Sequence, residues 1–244
     1  NKTREKGNRS MSTVVGIIGA MEIEVEALKK DMKVRRTVSK AGMEFCQGVL
    51  SGCEAVVVRS GIGKVNAAVC TQILIDQFGV THVINTGIAG SLRAEINIGD
   101  IVISTDLVQH DMDATNFGYP VGQIPQMDTF SFPADEGLCE LAEKTCRKAV
   151  PEIGVFRGRI VSGDQFVAGH EVKDRLLKTF DGFCTEMEGA AIGQTAWLNK
   201  VPFVILRAIS DKADDSASMD YPVFERQAAW HCVTLVEKLL EELA

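Results

Sequence analysis

The feature that most constrains this chain is its alternation: short β-rich runs, several of them apolar at every position, are separated by segments of helical periodicity from residue 13 to the C-terminal stretch. TVVGIIGA (13–20) predicts a strand, and MEIEVEALKKDM (21–32), with Met21, Val25 and Leu28 at helical spacing, predicts a helix. MEFCQGVL and EAVVVRS around Ser51-Gly52 predict a hairpin over 43–60. A helix over 64–78 and a buried strand over 82–90 follow, then GDIVISTDLV as a further strand. The second half predicts helices over 135–149, 170–180, 189–199 and about 220–242, with strands over 155–163, 184–187 and 202–209. Continuously apolar strands alternating with helices need cover on both faces. The expected fold is therefore α/β, with a largely parallel or mixed sheet covered on both faces.

At 244 residues and 45% hydrophobic content, the chain can bury one full core, and a single domain over 11–244 is expected. NKTREKGNRS (1–10) contains no apolar residue, which predicts a disordered extension and neither a signal-peptide core nor an anchor. No apolar run approaches the roughly 18 residues of a bilayer span, so no membrane partner is expected. Seven scattered cysteines without a CxxC pair predict reduced, buried thiols and a cytoplasmic protein. A net charge of -7 argues against a nucleic-acid partner, whose phosphates need clustered Lys and Arg. A small-molecule partner fits better.

In α/β folds, ligands collect at the carboxyl ends of strands. GAMEIE, NTGIAG, SGDQF, TEMEG and AISDKAD all stand at such ends. SGIGKV (60–65) suggests a phosphate loop, but Val65 stands where a magnesium-binding Ser or Thr is needed, and Asn66 replaces the third glycine of a dinucleotide fingerprint. His82, His110, His170 and His231 show no HExxH spacing, and no GxSxG elbow is present. No metal and no cofactor are expected. The irregular stretch 113–133 holds three of the six prolines, and a loop of that length suggests function or an interface.

The octet CTEMEGAA (184–191) places two acids around a methionine where one apolar segment gives way to another. In an extended chain, Glu186 and Glu188 share a face and Met187 takes the other. Solvated turn residues, or anions at the start of the following helix, would use the same letters.

GIIGAMEIEV, SGIGKVNAA, NTGIAG, FGYPVGQIP, VSGDQF, TEMEGAA and VPFVILRAISDKAD, in this order and at these separations, resemble the 5'-methylthioadenosine/S-adenosylhomocysteine nucleosidases of the nucleoside phosphorylase superfamily. The resemblance covers the chain from Met11 to its last helix. It implies a nucleoside phosphorylase-like fold, a three-layer α/β sandwich with a central mixed β-sheet flanked by helices, a homodimer, and hydrolysis of an N-glycosidic bond with release of adenine. Such a cleavage builds positive charge on ribose and negative charge on the purine, and both must be stabilised. By resemblance Asp211 is the general acid that protonates purine N7, although from its segment alone it could equally be a helix N-cap. Glu24 matches the acid that orients and deprotonates water, a choice over Glu22 and Glu26 that spacing does not make. Glu188 matches the acceptor for the ribose 2' and 3' hydroxyls, with Glu186 as a supporting or second ribose-side acid and Met187 packing on the sugar.

The resemblance also assigns Phe166 and Val167 to the adenine site, although Phe166 could equally be plain core, and Ile88, Ala89 and Gly90 to the wall beside the base. Some relatives carry Ser at the position of Ile88. Ser210 is placed to bond the base or Asp211. Met21, Ile62 and Tyr221 match an apolar 5' subsite suited to a thioether, whose desolvation costs little. Phe117, Tyr119 and Pro125 are implied to come from the second subunit. A phosphorylase would share the acid and ribose site, a 6-amino-6-deoxyfutalosine nucleosidase would differ in the 5' pocket, and a non-catalytic nucleoside-binding protein would have no need of all three acids. Glu22 and Glu24 stand where phosphorylases place an arginine, which favours water over phosphate, with Arg59 and Lys64 as the nearby cations that could reverse this.

Overall fold

The computed structural model describes residues 12–244, so the extension expected over 1–10 lies outside the described residues. The strands are β1 (Val14–Gly19), β2 (Lys33–Lys40), β3 (Met43–Leu50), β4 (Cys53–Arg59), β5 (His82–Ser91), β6 (Ile101–Gln109), β7 (Phe132–Pro133), β8 (Val155–Ser162), β9 (Cys184–Glu186) and β10 (Phe203–Asp211). The helices are α1 (Glu26–Asp31), α2 (Lys64–Phe78), α3 (Glu136–Ala149), α4 (His170–Phe180), α5 (Gly189–Leu198) and α6 (Ala217–Leu243). The strands form one mixed sheet in the order β10-β6-β8-β9-β5-β1-β4-β3-β2, with β7 on β6.

The sheet carries helices on both faces, as the continuously apolar strands require. Residues of α1, α3 and α6 pack with alternate residues of β1, β5 and β10 in one core. Residues of α2 and α5 pack with the opposite alternation, such as Ile18, Val83 and Ile205, in the other. Because β10 pairs with β5 as well as with β6, five of the strands close on themselves, a curvature not expected of a plain three-layer sheet. No helix among the described residues is long and apolar enough to cross a membrane. The cysteines are free thiols, six of them buried and Cys46 half-buried.

Two elements depart from expectation, each for a local reason. KVRRTVSK (33–40) is a strand, β2, paired antiparallel with β3 at the sheet edge. Its side chains are exposed except for Val38, so it carries charge instead of alternation, the usual protection of an edge. The helix expected over 21–32 is broken into a 3-10 turn, Glu22–Glu24, and the short α1. The break arises because the Glu24 carboxylate folds back to accept from the N–H groups of Ala20 and Met21, at 2.7 and 3.0 Å.

The irregular stretch stays irregular apart from a 3-10 turn at Thr115–Phe117 and the two residues of β7. Its backbone is tied by the Gln123 amide, which donates to the carbonyls of Ile124, Met127 and Thr129 at 3.0 to 3.1 Å.

Candidate active site

The segments that follow β1, β4, β8 and β9 meet the ends of β5 and β10 around one cavity of about 430 Å³. Glu24, Glu188 and Asp211 all line it, and each is buried. Burying a carboxylate is costly unless donors replace the lost water. Each of the three has them.

Glu24 accepts from Ala20 and Met21 on one oxygen and from the Ile88 N–H at 3.3 Å on the other. Burial pushes its carboxyl above the ordinary range, opposed by the nearby Arg207 guanidinium and these backbone donors. Its neighbours are elsewhere: Glu22 is exposed beside Lys29, at 3.1 Å, and Glu26 pairs with Arg226 at 3.3 Å. Burial thus separates Glu24 from two acids that sequence spacing could not distinguish from it.

Asp211 ends β10. Its Oδ1 accepts from the Ala213 N–H at 2.8 Å and its Oδ2 from the Ser210 hydroxyl at 2.9 Å. The next helix starts only at Ala217, after Ser216, so Asp211 is not a helix cap. Burial raises its pKa, against the pull of those two hydrogen bonds.

The pair around Met187 divides into two environments. The Glu186 carboxylate closes the N-terminus of α5, accepting from the Gly189 N–H at 2.7 Å, from the Ser162 hydroxyl, and from the Arg207 guanidinium. With both oxygens engaged, it supports the site. Glu188 keeps a looser set: its Oε2 accepts from the Gly63 N–H at 2.9 Å, and Arg207 Nη2 stands 3.6 Å from its Oε1. Burial raises the Glu188 carboxyl, Arg207 opposes the rise, and Glu186 reinforces it.

Arg207 is the residue the sequence reading missed. Only 1% exposed, its guanidinium also donates to the Asn85 side chain at 2.5 Å and to the Ile88 carbonyl at 3.0 Å. The signal was one arginine inside the apolar run VPFVILRAI, since a cation in a central strand needs buried anions beside it. The glycines of NTGIAG make room for this cluster. A Cβ on Gly87 would lie 2.5 Å from Arg207 Nη1 and 2.9 Å from Glu24 Oε1, and one on Gly90 would lie 2.8 Å from Asp211 Oδ1.

The remaining walls are largely apolar. Ile88, Ala89, Gly90 and Ser210, from the paired ends of β5 and β10, line the cavity together with Phe166 and Val167. Phe166 is 51% exposed and meets Tyr221 edge to face at 5.5 Å, so it is no core residue. Met21, Ile62 and Tyr221 come together, the Tyr221 hydroxyl lying 3.4 Å from the Met21 sulfur, and Met187 also lines the cavity. Ala20, Gln165 and Thr185 are further lining residues that the sequence reading did not select. Phe117, Tyr119 and Pro125 are not among the lining residues of this chain's cavity, and Phe117 is 83% exposed. Among the described residues, no group of His, Cys, Asp and Glu could hold a metal ion.

A profile of the phosphorylase superfamily matches residues 14–241. A 5'-methylthioadenosine/S-adenosylhomocysteine nucleosidase of Bacillus cereus is 42% identical over 94% of this chain and 99% of its own. Among solved structures, the enzyme of the same description from Neisseria meningitidis, in complex with methylthio-immucillin-A, is 41% identical. It superposes with a TM-score of 0.91 over 94% of this chain and 99% of that one. A futalosine hydrolase of Helicobacter pylori is 34% identical, with a TM-score of 0.90 over 95% and 99% of the two chains.

Proposed function

Since the chain belongs to the 5'-methylthioadenosine/S-adenosylhomocysteine nucleosidases of the phosphorylase superfamily, we propose that its cavity hydrolyses the N-glycosidic bond of these nucleosides to adenine and the 5-thioribose product. The observation that carries the reading is the convergence of three buried carboxylates on a cavity whose other walls are mostly apolar.

The three acids divide the work by environment. Asp211, with its pKa raised by burial, delivers a proton to purine N7, so adenine departs neutral. Glu24, held by three backbone donors, accepts a proton from the attacking water. Glu188 accepts from the ribose hydroxyls, and its charge offsets the cation forming on the sugar. Arg207 and Glu186 keep Glu188 in place from beneath. Phe166 stacks on the base, and Met21, Ile62 and Tyr221 receive the thioether.

The exposed Phe117, with Tyr119 and Pro125, fits a role outside its own chain, as a wall of the 5' pocket in a second copy. The protein then works as a homodimer. The likeness to a futalosine hydrolase supports a second substrate, 6-amino-6-deoxyfutalosine, read by the same acids with a different 5' group.

The test is chromatography of the purified protein incubated with each nucleoside, with and without saturating phosphate. Free adenine and 5-methylthioribose at a rate indifferent to phosphate are expected. Ribose 1-phosphate products in proportion to adenine would make the protein a phosphorylase, and binding without products would make it a carrier.

A further inference from the structure

The SGIGK turn, which in sequence suggests a phosphate cradle, has its donors taken by the protein's own carboxylates. The Gly63 N–H donates to Glu188 Oε2 at 2.9 Å, and the Lys64 N–H donates to Asp164 Oδ1 at 2.9 Å. The Lys64 ammonium reaches Asp111 Oδ1 at 2.6 Å, and the other Asp111 oxygen accepts from the Asp164 N–H at 2.9 Å. Asp111, Lys64 and Asp164 therefore form a closed ring linking the end of β6, the start of α2 and the segment after β8.

Each member of the ring is joined to the site. Lys64 follows Gly63, which holds Glu188, and Ile62, which lines the cavity. Asp164 precedes Gln165, Phe166 and Val167, all lining residues. Asp111 itself does not line the cavity, and its side chain is 20% exposed. Burial works against its ionisation, yet the hydrogen bonds from Lys64 and the Asp164 N–H hold its carboxyl below the ordinary range. His110 and Lys64 are the other charged or titratable groups acting on it. The Lys64–Asp111 pair is mostly removed from water, where such a pair holds geometry better than a surface one does.

We infer that Asp111 is a positioning residue: through Lys64 and Asp164 it fixes the Gly63 N–H against Glu188 and the 165–167 segment against the base. The inference rests on the assignment of Glu188 to the ribose hydroxyls. Gly63 supplies the backbone donor to Glu188, so a loosened α2 N-terminus lets that carboxylate drift from the hydroxyls it meets. A displacement of about 1 Å at a reacting group costs on the order of a hundredfold, and partial loosening costs less.

The experiment compares 5'-methylthioadenosine with its 2'-deoxy analogue, reading the ratio of the two kcat/KM values. That ratio depends on the contact between Glu188 and the 2' hydroxyl, and mere loss of stability leaves it unchanged. Asp111→Ala should lower the ratio about tenfold, Lys64→Met should do the same, and the double variant should fall no further, since the ring acts as one unit. Asp111→Asn, which keeps the shape and one acceptor, should restore part of the ratio. Lys64→Met, at a partly exposed position, carries the test if Asp111→Ala does not fold. An unchanged ratio in folded Lys64→Met and Asp111→Asn, or additive losses in the double variant, overturns the inference. Glu188→Gln is run beside them. If its ratio is also unchanged, the ribose assignment of Glu188 fails and takes the inference with it; if its ratio alone collapses, only the role of Asp111 fails.

Discussion

Asp211→Asn tests the proposed general acid and its energetic setting together. The substitution is nearly isosteric, and both hydrogen bonds of the native carboxylate have successors. An amide oxygen accepts from the Ala213 N–H as Oδ1 does now at 2.8 Å. The amide nitrogen donates to the Ser210 oxygen, whose hydroxyl turns toward the Ala89 carbonyl, already 3.5 Å away. The fold therefore keeps its contacts, while the amide cannot deliver a proton to N7. Loss of a general acid costs about 10²- to 10⁴-fold, equivalent to roughly 3 to 5 kcal/mol of transition-state stabilisation.

Stability should move the other way. Burial raises the Asp211 pKa above its ordinary 3.8, so between that value and the folded one the native state holds more protons than the unfolded chain. The contribution of Asp211 is present in full below pH 3.8 and is lost as pH rises through the folded pKa, so above pH 3.8 the raised pKa is a cost to stability. Asparagine removes that cost. At pH 7 the variant should unfold at or above the wild-type denaturant midpoint, with a shallower decline from acid to neutral pH. Glu24 and Glu188, raised by burial in the same direction, keep part of the slope. The assays are adenine release and urea unfolding across pH. Ordinary turnover in a folded variant would refute the acid role, and a lowered midpoint at pH 7 with an unchanged slope would refute the burial argument.

Glu188→Gln should lower kcat/KM for every nucleoside tested, because the ribose is common to all; a loss confined to one 5' substituent contradicts its assignment. Arg207→Met leaves Glu186 and Glu188 buried without their cation, and such a deletion costs about 3 to 5 kcal/mol. A denaturant midpoint within experimental error of wild type would show that the guanidinium does not hold the acids. Phe117→Ala should raise KM for 5'-methylthioadenosine by the equivalent of about 1.5 to 3 kcal/mol, since the ring, exposed in its own chain, is proposed to be buried against the partner's substrate. A verified monomer should show the same rise in KM, and an unchanged KM in both would remove the loop from the pocket.

The alternation of elements was legible because apolar strands and amphipathic helices leave different periods in the sequence. What escaped has physical reasons. β2 carries no alternation because neither of its faces is buried, and the closure of the sheet depends on the β10–β5 pairing, a long-range choice with no local trace. In the site, resemblance selected Glu24, Glu188 and Asp211, whereas the local segment alone left Asp211 open as a cap and spacing left Glu24 equal to Glu22 and Glu26. The next helix begins only at Ala217, which removes the cap reading of Asp211, and burial sets Glu24 apart from Glu22 and Glu26. Arg207 was overlooked because a strand is read by its apolar majority, although a lone buried cation is the more informative residue. The two acids of CTEMEGAA both face one guanidinium: Glu186 closes a helix and makes the closer contact with Arg207, whereas Glu188 stands 3.6 Å from it and lines the cavity.

The choice of nucleophile follows from where the cations are spent. A phosphorylase must hold a dianion beside the anomeric carbon, with guanidinium, ammonium or backbone donors turned toward it. Here Arg59 lies toward solvent, 3.8 Å from Glu22, and Lys64 is bound by Asp111 at 2.6 Å. Arg207, inside the site, divides its donors among Glu186, Glu188, Asn85 and the Ile88 carbonyl. The Gly63 and Lys64 N–H groups, which a phosphate would need, are taken by Glu188 and Asp164. A phosphate would meet Glu24 and Glu188 instead, and each charge pair at about 4 Å repels by roughly 1 kcal/mol in water-like surroundings and about 4 kcal/mol at an effective dielectric of 20. Water carries no charge to repel, and a carboxylate whose proton affinity is raised by burial is well suited to take its proton. On the proposed roles, the acids that disfavour phosphate are also those that carry hydrolysis.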